Sequence, residues 1–117
     1  MKTTKADFET FKAAAKTWQT KLGLMDWALY FDHKLLEDEY ARCYWANSDK
    51  TATIVLSTHW DKLRPKTNQE IERAALHEVL HLMFAQYCAQ AEARYTTRDA
   101  LESAEHSIIR QLESVLL

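Results

Sequence analysis

The chain has 117 residues, of which 47% are hydrophobic and 27% charged, and its formal net charge is −2. These values are typical of a folded domain with one core, so we interpret residues 1–117 as a single domain. The chain has no basic excess to neutralise phosphates, and no apolar run approaches the ~18 residues that a membrane-spanning helix needs. We therefore expect neither nucleic acid nor a membrane as a partner.

The first predicted element is a helix from Asp7 to about Lys21. Thr4 or Asp7 can cap its start, because both side chains accept hydrogen bonds from free helical amides. Gly23, the only glycine, follows the last periodic residue, where a left-handed conformation favours glycine. The apolar residues of this segment recur at helical spacing: Phe8, Phe11, Ala15, Trp18 and Leu22.

Three short segments then predict strands: Trp27–Phe31, Tyr40–Ala46 and Thr51–Ser57. They are rich in aromatic or β-branched residues and are separated by charged or turn-forming residues. Two helices follow. Thr67 and Glu70 have capping-box spacing and begin a helix that runs to about Ala91 or Ala93, and a last helix runs from about Arg98 to Leu116.

This order of elements predicts an α+β fold. Strands that follow one another and are then followed by helices favour a small three-stranded antiparallel sheet with helices packed on one face. The helix after Thr67 has apolar residues on nearly every side, which predicts a buried central helix.

The residues with the clearest chemical meaning lie in this central helix, where His77-Glu78-Val79-Leu80-His81 forms an HExxH motif. Residues four apart lie on one helix face, so both imidazoles can reach one metal ion. Glu78 projects beside that ion and can accept a proton from a metal-bound water. Burying these polar groups among apolar neighbours is costly unless a metal compensates, so we predict a zinc site held by His77 and His81.

A catalytic zinc ion commonly has three protein ligands, so we expect a further one downstream. On a helical wheel of the last helix, Glu105 falls inside the apolar stripe, Glu102 at its edge and His106 further out. We predict Glu105 as the third ligand and keep Glu102 and His106 as alternatives. The downstream candidates are Glu92, Asp99, Glu102, Glu105, His106 and Glu113.

A zinc helix bearing HExxH, followed by a glutamate on a later helix, resembles the gluzincin class of metallopeptidases. Together with the Trp18–Trp27 segment and the strand before the helix, the chain resembles small metallopeptidases of phages and prophages, which are similar to a minimal SprT-like, zincin-type catalytic core. The resemblance implies that the strand Thr51–Ser57 lies at the sheet edge and pairs with an extended peptide or protein substrate. The chain lacks the basic zinc-ribbon tail of the DNA-associated members, which again argues against nucleic acid.

Three functions are compatible with these patterns. The first is a zinc-dependent peptidase in which a zinc-activated water attacks the peptide carbonyl and Glu78 is the general base. The second is a binding or regulatory module of zincin fold that retains zinc with little or no activity. The third is a helical interaction protein in which HExxH is accidental.

The cysteines indicate the compartment. Cys43 and Cys88 are far apart and form no CxxC pair, so we predict free, buried thiols. Free thiols are typical of a reducing cytoplasm. With the resemblance above, this suggests the cytoplasm of a bacterial cell that carries a phage or prophage.

Overall fold

A computed structural model of the chain describes residues 1–116. Its elements are α1 (Lys5–Lys21), β1 (Ala28–Lys34), β2 (Ala41–Ala46), β3 (Thr51–Ser57), α2 (Asn68–Glu92) and α3 (Arg98–Leu116). The predicted α+β class and the order of the elements are confirmed. Among residues 1–116, no helix is long and apolar enough to cross a membrane.

Helix α1 begins at a complete capping box. The Thr4 hydroxyl accepts a hydrogen bond from the Asp7 amide at 3.1 Å, and the Asp7 carboxylate accepts one from the Thr4 amide at 2.8 Å. These two bonds satisfy amides that have no partner within the helix. Thr4 is therefore the cap, and the helix begins at Lys5 rather than at the predicted Asp7.

Helix α1 ends in a Schellman motif. The Leu24 amide donates to the Gln19 carbonyl at 2.9 Å and the Gly23 amide donates to the Thr20 carbonyl at 3.2 Å. This pair of bonds requires a residue in the left-handed region, and Gly23 has φ +69°. The predicted role of the only glycine is confirmed.

The sheet is mixed, so the prediction of an antiparallel sheet is wrong. Its strand order is β1-β3-β2, in which β3 runs antiparallel to β2 but parallel to β1. The chain crosses from β1 to the far edge, forms β2, and returns through a short turn to insert β3 between the two. Strand lengths and turn residues do not encode this long-range choice of partner.

Thr51–Ser57 is the central strand, so the expectation that it lies at the sheet edge is wrong. It pairs with β1 from Ala28↔Thr51 to Lys34↔Ser57, and with β2 from Ala41↔Leu56 to Ala46↔Thr51. Four consecutive residues, Ile54 to Ser57, are fully buried, as expected of a strand flanked by partner strands on both sides. Its backbone has no free edge for a substrate.

The core lies between the inner face of this sheet and the helices. Strand β1 extends to Lys34, beyond the predicted Phe31, because its alternating pattern continues through the charged residues. Helix α1 packs on α2, α2 also contacts β2, and α3 packs on α2. The largest fully buried side chains of the core are Trp60, Phe11, Ile54, Leu56, Ile71, Val55 and Val79.

Helix α2 begins one residue after Thr67, whose hydroxyl accepts the Glu70 amide at 3.2 Å. The predicted capping box is only half formed, because the Glu70 carboxylate instead receives Arg64 Nε at 3.0 Å. The prediction of a wholly buried helix is also wrong. One side carries Ile71, Ala75 and Val79 in the core, whereas the other is exposed.

Helix α3 has the predicted bounds, but its buried stripe is narrow. Only Ala104 and Ile108 are buried, because α2 is the main neighbour of this helix. Ile109 and Leu116 remain 39% and 77% exposed. The helical wheel therefore predicted a wider buried face on α3 than the structure has.

Candidate functional site

The HExxH motif lies at a surface cavity of about 450 Å³ between α2 and the edge strand β2. The inner face of β2 and the loop before α2 form the walls of the cavity that face α2. Its lining residues are Glu39, Tyr40, Ala41, Arg42, Cys43, Trp45, Arg64, Ala74, His77, Glu78 and His81.

The alternation of β2 determines which side chains reach this cavity. Cys43 pairs with Ile54 and Trp45 pairs with Ala52, both of which belong to the core. Side chains alternate between faces along a strand, so Cys43 and Trp45 point toward α2 while Tyr44 points to the outer face. A polar site is thereby built against an apolar strand face.

His77 and His81 lie side by side on the exposed face of α2, one turn apart. Their ring centroids are 5.2 Å apart and the rings are nearly perpendicular, at 78°. Within residues 1–116 neither ring forms a hydrogen bond, and the nearest acidic group is Glu78, with Oε1 4.0 Å from His81 Nε2. Burial and the neighbouring His77 lower the pKa of His81, which favours the neutral imidazole that binds metals.

Glu78 is buried beside these rings, with only 6% of the residue exposed. Burial is the main cause that raises its pKa to about 7, and the Glu39 carboxylate acts in the same direction. Arg42 and Arg64 oppose the shift. A cation held by the adjacent imidazoles would also lower this pKa, because it favours the charged carboxylate.

Arg64 is held rigidly at the rim of the cavity. Its Nε donates to Glu70 at 3.0 Å, and its guanidinium lies 5.0 Å from the Tyr40 ring and 5.5 Å from the Trp60 ring. Arg42 pairs with Glu39 at 2.8 Å, and its guanidinium lies 5.0 Å from the Tyr44 ring. Each arginine at the cavity is therefore paired with an acid, Arg64 with Glu70 and Arg42 with Glu39.

Cys43 lies on the floor of the cavity as a neutral thiol. Burial, with a smaller contribution from the Glu78 carboxylate, raises its pKa to about 12. A thiol with so high a pKa carries almost no thiolate at neutral pH and is a poor nucleophile.

The structure does not bring Glu105 to the two histidines. The residue is exposed, and it lines a neighbouring cavity with Phe84, Tyr87, Ile108 and Ile109. Phe84 lies one turn after His81, so Glu105 is displaced along α2 from the imidazole pair. The prediction that Glu105 is buried in the apolar stripe is wrong.

The alternative ligands on α3, Glu102 and His106, are also exposed, and each contacts a residue of the same helix. Glu102 accepts Arg98 Nε at 3.0 Å, and His106 Nδ1 lies 2.8 Å from the Glu102 carbonyl oxygen. Among residues 1–116, no group of three or more histidine, cysteine, aspartate or glutamate side chains is arranged to hold a metal. Of the candidate ligands in residues 1–116, the structure places only His77 and His81 side by side.

Sequence reasoning did not assign the cavity wall opposite α2, formed by Glu39, Arg42, Cys43, Trp45 and Arg64. The alternation of Cys43 and Trp45 was a usable signal, since it placed both on one face of a strand. No local pattern indicated that this strand would lie beside HExxH. Comparison of the chain with family models, with curated proteins and with solved structures gave no match.

Proposed function

We propose that the protein is a zinc-dependent peptidase whose metal is held by His77 and His81 and whose general base is Glu78. The strongest support for this proposal is the presence of three polar groups of the motif in one cavity. Two imidazoles without hydrogen-bond partners in residues 1–116 share a cavity with a buried carboxylate beside them. A structural histidine pair would need no such carboxylate.

When bound, zinc would supply Lewis-acid chemistry that polarises a carbonyl and makes a water more acidic. The remaining steps belong to this chain. Glu78 accepts the proton of the attacking water and returns it to the amine that leaves. Its surroundings exclude most solvent, and the residue lines the same cavity as the two histidines.

The strand β2 is the better candidate for substrate pairing, since β3 is occupied on both sides. Within residues 1–116 the outer edge of β2 pairs with no strand, and its inner face lines the cavity with His77, Glu78 and His81. An extended peptide added to this edge would lie beside the histidine pair, with main-chain hydrogen bonds holding it.

The third zinc ligand remains part of the proposal. Glu105 shares its cavity with Phe84 and Tyr87, which also line the apolar surface that continues from His77 and His81 along α2. Coordination by Glu105 would require α3, of which only Ala104 and Ile108 are buried, to move along α2 toward the imidazoles. Glu105 is the ligand we expect to be recruited.

The Glu78→Gln variant tests the proposed reaction. Glutamine has nearly the same shape but cannot accept the proton, so we expect zinc to stay bound while cleavage of a peptide library falls by at least about a hundredfold. Zinc content and cleavage are measured on the same preparation, with chelator as a second control. Glu72→Gln is the matched control, because Glu72 lies on the exposed part of the same helix.

Unchanged cleavage in Glu78→Gln would refute the mechanism. A metal-binding module without catalytic activity is the second candidate, because within residues 1–116 no third candidate ligand lies beside His77 and His81. Bound zinc with no cleavage by the parent protein would favour that candidate. Absence of zinc from protein purified without added metal would indicate that HExxH is accidental.

We also propose a cytoplasmic location. Cys43 and Cys88 are both free, which is compatible with a reducing compartment.

A further inference from the structure

Trp45 stacks on one of the two histidines of the motif. Its indole and the His81 imidazole have centroids 5.7 Å apart and planes that differ by 17°. We propose that Trp45 is a positioning residue that holds His81 in the orientation needed to bind the metal. This inference rests on the proposed function, because it assigns a role to a contact of a proposed zinc ligand.

A positioning residue is needed because, in the described part of the chain, the His81 ring lacks a hydrogen bond that would fix its orientation. Histidines that bind metals usually donate their second ring nitrogen to a carboxylate or carbonyl, which fixes the orientation of the ring. Within residues 1–116, His81 has no hydrogen bond, and the Glu78 oxygen at 4.0 Å is too distant for one. An offset, nearly parallel contact with the Trp45 indole is the restraint that this structure provides instead.

The restraint extends to the second histidine. The edge-to-face contact between His81 and His77, at 78° and 5.2 Å, makes the orientation of one ring depend on the other. Trp45, His81 and His77 thus form a continuous series of ring contacts from the edge strand to the motif. Fixing the first ring restricts both imidazoles.

The electronic character of the indole favours the same outcome. The face of an indole carries partial negative charge and attracts cations. An imidazole that has given electron density to a metal ion is more positive than a free one, so the stack becomes more favourable when the metal binds. Trp45 is therefore expected to favour the metal-bound state over the metal-free state.

Position on the strand provides a matched control. Trp45 points to the cavity and is 38% exposed, whereas the preceding Tyr44 points to the outer face and is 45% exposed. Both are large aromatic residues of the same edge strand. Only Trp45 contacts the motif.

The test measures binding of Co²⁺ alone by calorimetry and by tryptophan fluorescence. Removing the stack in Trp45→Val should weaken Co²⁺ binding by roughly threefold to tenfold, the range expected for one aromatic pair. Trp45→Phe keeps an aromatic face and should bind within about twofold of the parent. Tyr44→Val should bind like the parent.

Fluorescence shows separately whether the ion binds beside Trp45. Co²⁺ held next to Trp45 should quench the emission of the parent and of Tyr44→Val. Trp45→Phe should lose most of that quenching while it still binds the ion. Should Trp45→Val fail to give a cooperative thermal transition, Trp45→Leu replaces it as the variant without an aromatic face, with the same expected loss of Co²⁺ affinity.

The outcomes separate the two proposals. If the parent binds no Co²⁺, the proposed function and this inference both fail. If the parent binds and Trp45→Val binds equally well, or if Trp45→Phe retains the quenching, the role of Trp45 is refuted while the metal centre stands. Weaker binding in Tyr44→Val of the same size would also refute it, because the effect would then come from the strand.

Discussion

At the scale of single residues, the site depends on how far each polar group is buried. Glu78 is nearly inaccessible, whereas the side chain of His81, three residues later, is 46% exposed. The sequence indicated the identity and spacing of these residues, because HExxH has a direct geometrical meaning on a helix. It did not indicate which of them would face solvent, since that depends on the rotation of α2 against the sheet.

The two cysteines should differ sharply in reactivity. Cys43 is 6% exposed and its pKa is raised to about 12, whereas Cys88 is half-buried on the exposed side of α2. At pH 7.5 we expect iodoacetamide to modify Cys88 at least about ten times faster than Cys43, because the thiolate is the nucleophile. Mass spectrometry of timed samples measures both sites.

Denatured protein serves as the control, since both thiols should then react at similar rates. Raising the pH from 7.5 to 9 should accelerate modification of Cys43 by roughly thirtyfold, because far below a pKa of about 12 the small thiolate fraction rises about tenfold per pH unit, yet the reaction should stay slow in absolute terms. Equal rates in the folded protein would contradict the burial of Cys43.

At the scale of elements, caps were the most predictable features and sheet partners the least. Thr4, Gly23 and Thr67 act through bonds to residues within five positions, so the local sequence encodes them. The parallel pairing of β1 with β3 instead joins residues far apart in the chain, such as Ala28 and Thr51, so no local pattern encodes it. The consecutive apolar residues of β3 were a signal for a central strand that the antiparallel interpretation overlooked.

The cap of α1 should make stability depend on pH. Although burial acts to raise the pKa of Asp7, hydrogen bonds from Lys66 and Thr4 outweigh it, and the pKa is lowered. A carboxyl group whose pKa is lower in the folded state contributes stability above its ordinary pKa and loses it as the pH falls through the folded-state value. Asp7 therefore stabilises the protein at neutral pH.

We expect Asp7→Ala to lower the free energy of unfolding by about 1 kcal/mol at pH 7. The difference from the parent should shrink as the pH falls below about 4, where the unfolded carboxyl begins to protonate. Urea denaturation at a series of pH values measures this. Glu9→Ala is the control, because the Glu9–Lys12 pair lies at the surface and should contribute little. A constant difference at all pH values would show that the charge of Asp7 is unimportant.

At the scale of the whole molecule, α3 is the least integrated element. It packs mainly on α2, and only Ala104 and Ile108 are buried. The sequence predicted the length of this helix from its period, but the width of its buried face depends on how many neighbours it has. The same uncertainty explains why Glu105 was predicted inside the core.

A zinc ion shared by α2 and α3 should stabilise the fold as a unit. If Glu105 is the third ligand, saturating zinc should raise the melting temperature of the parent, because a ligand that binds only the native state adds to its stability. Glu105→Ala should lose most of that rise, whereas Glu102→Ala should keep it. Without metal, Glu105→Ala should melt close to the parent, since the residue is exposed.

Thermal melts with zinc and with chelator test this for Glu105→Ala, Glu102→Ala and His106→Ala. The variant that loses the zinc-dependent rise identifies the ligand. Equal rises in the parent and Glu105→Ala would exclude Glu105.

The insertion of β3 between β1 and β2 also bears on self-association. It leaves β2 as an outer strand, and an outer strand can pair with a second copy of the chain as readily as with a peptide. β2 is only six residues long, and the Arg42–Glu39 ion pair lies at its start. Shortness and charge at a strand edge both disfavour stacking of identical strands. The outer edge of β2 can therefore still pair with an extended peptide, while its shortness and charge limit the growth of aggregates.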